Sequence, residues 1–238
     1  MGEETRIVQA YGQAHRSLLD DAVPDIERLV EFHEKETGTG RGYRRPDIQV
    51  VSRSAVVLIC ASWEAFCEDL VVEALQHLAD HSPNGLALPD EVKKTLKASL
   101  LADKHELAIW NLADDGWRTA LRDRATLISS DDDRSLNTPK PAQVKGFFNK
   151  YVGIGDITAS WAWHKNDQER TSKLLEDFVV LRGSIAHRRS PAGGVRKKKA
   201  TDGLDLVQRL AAKSAECVSE HLLKHTGTAL PELDPPVT

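Results

Sequence analysis

Several things are scarce in this 238-residue chain, and each shortage excludes a class. Cysteine occurs only at Cys60, Cys67 and Cys217. An odd number in apolar helical stretches is no disulfide framework and reads as reduced core thiols. Cys60 and Cys67 stand seven apart, which suits neither a CxxC redox pair nor a zinc knuckle, so no metal or other cofactor is expected. No apolar run approaches the ~18 residues of a membrane span. The opening MGEETRIVQAYGQ lacks a basic region followed by an apolar one, so a cytoplasmic protein without signal peptide or membrane contact is expected. Positive charge is not in excess: 32 Lys+Arg against 36 Asp+Glu give −4 and a pI near 6.1. Bulk charge therefore cannot hold nucleic acid, and any RNA contact must come from a local basic patch. No Pro/Gly/Ser-rich linker divides the chain.

What is present is helical. Forty per cent hydrophobic and 29% charged residues describe a soluble globular protein. A single domain over 1–228 is expected, with residues 229–238 as a disordered tail. Residues 5–36 carry a broken stripe (Ile7, Tyr11, Ala14, Leu18, Ile26, Leu29, Val30) that Pro24 should kink or split. The loop 37–47 sets Arg41, Arg44 and Arg45 around Tyr43, either as surface arginines or as a place where a base stacks among cations. The strongest helix spans 48–80 and is apolar almost all round between Ser54 and Trp63, the mark of a central helix. One of its rows runs Arg53, Val57, Cys60, Glu64, Cys67, Val71, so Glu64 stands in apolar company. A carboxylate there needs a partner. Either Arg182 supplies it or Glu64 turns to water at the helix edge.

Further on, Pro89-Asp90-Glu91 starts another helix. Residues 105–128 read as a helix broken at Asp114-Asp115-Gly116, with Trp110 and Trp117 packing inward. The SSDDDR run at 129–134 reads as a solvated loop. A short helix follows Pro139, and Trp161-Ala162-Trp163-His164 closes that insertion. His164 is a surface histidine or a second imidazole. Asp167 should cap the next helix.

That helix is Leu174–Arg189, LLEDFVVLRGSIAHRR, where Leu174, Phe178, Leu181 and Ile185 recur at helical steps. Pro191 forces Ser190 out of the helical region, so the helix should end near Arg189. Arg182 and His187 fall in its last two turns. Arg holds phosphate bidentately and never loses its charge; His passes a proton near neutral pH. Together they are a minimum set for metal-free phosphodiester chemistry. Five residues apart, they lie about 140° round the axis, on diverging faces. Arg188, Arg189, Arg196, Lys197, Lys198 and Lys199 then give six cations and no acid over twelve residues. This is the one strongly basic stretch, and it reads as a mobile surface run or as an RNA-binding patch. A last helix is expected over Gly203–His225.

Arg182-Gly183-Ser184-Ile185-Ala186-His187 resembles the R-x4-6-H motif of the HEPN superfamily. Ala61-Ser62-Trp63-Glu64-Ala65-Phe66, Asn137-Thr138-Pro139, Phe147-Phe148 and Gly155-Asp156-Ile157 extend the likeness to the RiboL-PSP-HEPN-type branch over roughly 48–225. Many active members carry Asn, Asp or His directly after the Arg, where this chain has Gly183. The resemblance implies an all-α antiparallel bundle with a short helical insertion. It implies a metal-independent endoribonuclease that cleaves single-stranded RNA by 2′-OH attack, leaving a 2′,3′-cyclic phosphate. Arg182 and His187 would be catalytic, with Ser184 and Glu64 supporting, in a homodimer with a shared site. A toxin or anti-phage role would bring an antitoxin or defence-system partner. The alternatives are a non-catalytic RNA- or nucleotide-binding module and a helical interaction partner.

Overall fold

A computed structural model of the protein describes residues 10–37, 49–101, 107–130, 136, 138–187 and 195–233. A two-residue strand, β1 (Ala10–Tyr11), leads into α1 (Gly12–Ser17), a π-helical turn over Leu18–Ala22, and α2 (Val23–Thr37). Pro24 does not split this run, because Ser17, Leu18 and Val23 all stay in the helical region. Proline has no N–H and its ring presses on the carbonyl one turn back. The wider turn just before it, with Val23 N–H bonded to Leu18 O, relieves both problems. Ile7 and the loop arginines Arg41, Arg44 and Arg45 lie outside the described residues.

The central element is α3 (Gln49–His81), within a residue of the expected span. Buried side chains point from it in several directions, because α1, α2 and four later helices described next all pack on it. Trp63 is fully buried, and its Nε1–H donates to Pro139 O at 3.1 Å. The ring stacks on Phe66 at 5.6 Å and meets the edge of Trp161 at 5.9 Å. A buried indole N–H without an acceptor would cost ~1–3 kcal/mol. The Ala61–Phe66 and Thr138-Pro139 stretches are therefore tied together.

A 3₁₀ turn (Gly85–Ala87) precedes α4 (Asp90–Leu101), and a second (Ala108–Leu112) precedes α5 (Gly116–Ser129). The break at Asp114 is as expected, with a φ of 51°. Trp117 is buried, but Trp110 is 71% exposed and does not pack inward. In its five-residue 3₁₀ turn the inward side is taken by Ala108, which is buried, and by Leu112, which packs partly against the core. Next come α6 (Pro141–Val152), a 3₁₀ turn at Ile157–Ser160, and α7 (Gln168–Ala186). Asp156 caps that turn by accepting from Thr158 N at 3.0 Å and Thr158 Oγ1 at 2.6 Å.

The last helix, α8 (Lys197–Thr226), begins six residues before Gly203, so the run Lys197–Lys199 is helical and not a mobile loop. The tail also departs from expectation up to Leu233. Leu230 is buried, with its N–H on Ser219 Oγ at 3.1 Å. β2 (Glu232–Leu233) pairs antiparallel with β1, Ala10 opposite Leu233 and Tyr11 opposite Glu232. An apolar side chain and a ladder at the chain's other end order these residues; 234–238 lie outside the described residues. One hydrophobic cluster runs from Ala14 to Leu230 through every long helix. Among the described residues, no helix is long and apolar enough to cross a membrane.

Candidate functional site

Asp167 caps α7 by accepting from Arg170 N at 2.8 Å, as its position implies. The inward row of the helix is Thr171, Leu175 and Phe178, all buried, and then Arg182, half-buried. Leu174, expected on this row, is instead 43% exposed. Packing between helices decides the rotation. The Phe178 ring lies on Gly203 of α8 so closely that a Cβ there would stand 2.2 Å from it. With Phe178 fixed inward, Leu175 turns in and Leu174 turns out. The outer row is Val180, Ser184 and His187. Val180 is 50% exposed and His187 is exposed. The helix stops at Ala186, short of Arg189, because His187 leaves the helical region at ψ 13° with its N–H on Gly183 O at 3.1 Å.

Because Arg182 continues the inward row, its guanidinium is carried to α3, beside Cys60 and Glu64. Burial raises the Glu64 carboxyl above its usual range, and Arg182 pulls it back. Burial pushes the Cys60 thiol up to about 12, with Arg182 opposing and Glu64 adding to the rise. Cys60 is thus a neutral thiol, and the cluster holds one guanidinium and one carboxylate. The two charges make no direct ion pair among the described residues; they interact across a gap. Arg182 is therefore aimed without being fully neutralised. Of the two sequence-based alternatives for Glu64, the arrangement favours Arg182 over open water, and Cys60, one turn earlier on the same row, joins them.

Ser184 and His187 are not brought to this cluster. Ser184 Oγ donates to Val180 O at 3.1 Å, so its one proton is turned into the helix. Holding a phosphate oxygen would require it to rotate away. His164 sits in the turn closed by the Trp163–Asn166 bridge, just before α7. That places it at the opposite end of a helix about 28 Å long, too far to serve with His187. Arg188 and Arg189 lie outside the described residues. Arg196 precedes the first turn of α8, which holds Lys197, Lys198 and Lys199, no acid and no side-chain cap. Lys198 pairs with Asp202 at 2.7 Å. Cations at the positive end of a helix dipole each cost ~0.3–1 kcal/mol, which an anion nearby would offset. Among the described residues, no three His, Cys, Asp or Glu side chains gather as a metal-ligand set.

The chain is thus a helical bundle in which α7 lays Arg182 toward the long central helix and carries His187 at its end. The model of the RiboL-PSP-HEPN family matches residues 21–220, and the chain belongs to that family. Membership carries the expectation of an RNase or nucleotide-binding role. No curated protein and no solved structure matches the chain.

Proposed function

We propose that the protein is a metal-independent endoribonuclease of single-stranded RNA, working in the cytoplasm as a homodimer. The observation that carries this reading is the division of labour on α7: Arg182 is held inward by α3, while His187 is free on the outer row. One chain keeps the two apart. A second copy, related by a two-fold close to the C-terminal end of α7, where half-buried Arg182 reaches the surface beside exposed His187, brings two guanidinium groups and two imidazoles into one cleft. Val180, apolar and exposed on one row with His187, gives that face a surface a partner copy would cover.

In the cleft, one His187 takes the proton of a ribose 2′-OH as its oxygen attacks the neighbouring phosphorus. The other gives a proton to the departing 5′-oxygen. The bond from phosphorus to that oxygen breaks, leaving a 2′,3′-cyclic phosphate and a 5′-hydroxyl. Arg182 neutralises the charge that builds on the phosphorane. Glu64 is a positioning residue that aims Arg182. Arg196 and Lys197–Lys199, with Arg188 and Arg189 nearby in sequence, neutralise flanking phosphates, so binding weakens steeply with salt.

The test is incubation of the pure protein with RNA in EDTA. Cleavage survives chelation and disappears in both Arg182→Ala and His187→Ala; cleavage restored only by Mg²⁺ overturns the reading. Growth arrest on expression, absent in His187→Ala, is the outcome expected of a toxin or anti-phage effector. Gly183 favours a second reading, a module that binds RNA or nucleotide without cutting. Tight RNA binding with no product identifies that case. Stoichiometric co-purification of another protein without RNA affinity identifies an interaction partner instead.

A further inference from the structure

α3 carries a second guanidinium on the row that Arg182 faces. The row runs Arg53, Cys60, Glu64, and Arg182 acts electrostatically on both of its later members. Arg53 is half-buried, and its Nη2 donates to Gln49 Oε1 at 3.3 Å. An amide oxygen gives that charge a hydrogen bond and no neutralisation. Among the described residues Arg53 has no ion pair. The acid on its own row, Glu64, stands about 16 Å further along the helix. A cation drawn partly out of water without a counter-charge is costly, and an anion brought to it recovers that cost.

Contacts between α3 and α8 fix how far Arg53 stands from Arg182. His77 of α3 meets Thr226 Oγ1 of α8 at 3.3 Å. Nearer the start of α3, Trp161 Nε1–H donates to Ser214 Oγ at 2.9 Å while its ring meets the edge of Trp63 at 5.9 Å. α3 and α8 therefore run in the same direction, and Arg53 falls about level with Gly203. Gly203 is where the Phe178 ring of α7 rests. Arg182 lies one helical turn beyond Phe178, so the two arginines are displaced by about 6 Å along the bundle. Asp202, also at that level, is engaged by Lys198 at 2.7 Å. The first turn of α8, with Lys197–Lys199, stands at the same end.

We propose that Arg53 grips a second phosphate of the RNA, next to the one at which the strand is cut. A guanidinium fork is filled by one phosphate, so two guanidiniums set apart along the bundle take two. Arg182 faces the reacting phosphorus, and Arg53 fixes the strand on one side of it. Lys198 and Lys199 are exposed and attract the strand by charge. Arg53 is seated in a packed row, so it sets where a phosphate lies. This inference takes its ligand from the nuclease reading, and binding and cutting are therefore measured separately.

Binding is read in the His187→Ala background, where the strand stays whole, with a short single-stranded RNA of mixed sequence. Adding Arg53→Gln weakens binding about tenfold. It also makes the slope of log affinity against log salt shallower by ~0.7, the share of one phosphate on a single strand. An unchanged slope overturns the proposal, whatever happens to stability. Cutting is read with His187 intact. Arg53→Gln lowers kcat/KM on a tetranucleotide about tenfold more than on a dinucleoside monophosphate, whose only phosphate is the one cut. Equal losses on the two substrates overturn the proposal, since they place Arg53 at the reacting phosphorus or in the fold alone. If Arg53→Gln does not fold, the same split is read in Arg53→Lys, which keeps the charge and loses the fork. RNA bound with the Arg53-dependent slope but never cut removes the nuclease reading and leaves the grip. RNA not bound at all removes both.

Discussion

His221 and His187 both stand near the C-terminal ends of long helices, and their surroundings are opposite. His221 on α8 donates through Nε2 to Val152 O at 3.0 Å, tying α8 to the end of α6. Burial lowers it to about 4, and the neighbouring His225 adds to the effect. His225 in turn donates through Nδ1 to Ala87 O at 2.9 Å. His187 is exposed, and its ring bonds to no described residue. An imidazole held neutral to satisfy a carbonyl is spent on the fold. The one left in water at the end of α7 is committed to no such bond among the described residues.

Exchanging each for alanine breaks this comparison most directly. His187→Ala should lower RNA cleavage ~10²–10⁴-fold, with urea stability unchanged within about 0.5 kcal/mol. His221→Ala should strand the Val152 carbonyl at a cost of ~1–3 kcal/mol and leave cleavage per folded molecule as it was. Equal losses of specific activity in the two variants would erase the distinction. Acid sharpens it next. His15 and His221 are held below the ordinary value of 6.5, so between about 6.5 and 4 the unfolded chain binds more protons. Stability is then complete above pH 6.5 and falls as pH drops toward 4. For the fully buried His15 this amounts to about 3 kcal/mol, at ~1.4 kcal/mol per pH unit. Urea midpoints from pH 7.5 to 4.5 read the slope, and His187→Ala should leave it unaltered.

The smallest effects come from two helical glycines on the same contrast of packed and open. Gly203 receives the Phe178 ring, so Gly203→Ala should cost ~1–3 kcal/mol by overpacking. At Gly183 a Cβ would meet nothing within 4 Å. Gly183→Ala should therefore raise stability by ~0.5–1 kcal/mol. Thermal melts of the two variants moving in the same direction would show that α7 is rotated from the position described.

Much of the bundle was legible because its signals are local and repeated. The apolar run from Ala55 to Trp63 located α3 to within a residue, Asp167 marked the start of α7, and the Asp114 break was set by turn chemistry. The inward side of α7 was read correctly at Phe178, Leu181 and Ile185 and wrongly at Leu174, since the periodicity allowed either Leu174 or Leu175 and a contact with distant Gly203 chose between them. Trp110 was misjudged for a similar reason: its hydrophobicity is visible, but the crowding that gives the inward place to Ala108 is not. The β1–β2 pairing joins residues more than two hundred positions apart and leaves no periodic trace. At the site, the apolar row of Glu64 showed that it needs a partner or water, and only the family resemblance, in which the long helix packs on the motif helix, pointed to Arg182. The position of Arg182 relative to His187 followed from helix geometry, and what a second copy adds lies beyond one chain's sequence.

The π turn at Leu18–Ala22 also sets a phase. Around it the buried positions fall at Ala14, Leu18, Val23 and Ile26, in steps of four, five and three. The step of five is one residue more than a regular α-helix uses, and it realigns α2 with α1 so that both keep the same side toward α3. Removing one residue from Leu18–Ala22 would leave a regular helix whose second half is turned by about 100°. Val23 and Ile26 would then swing into solvent, and the loss would be felt on α2 while the deleted segment itself became more ordinary.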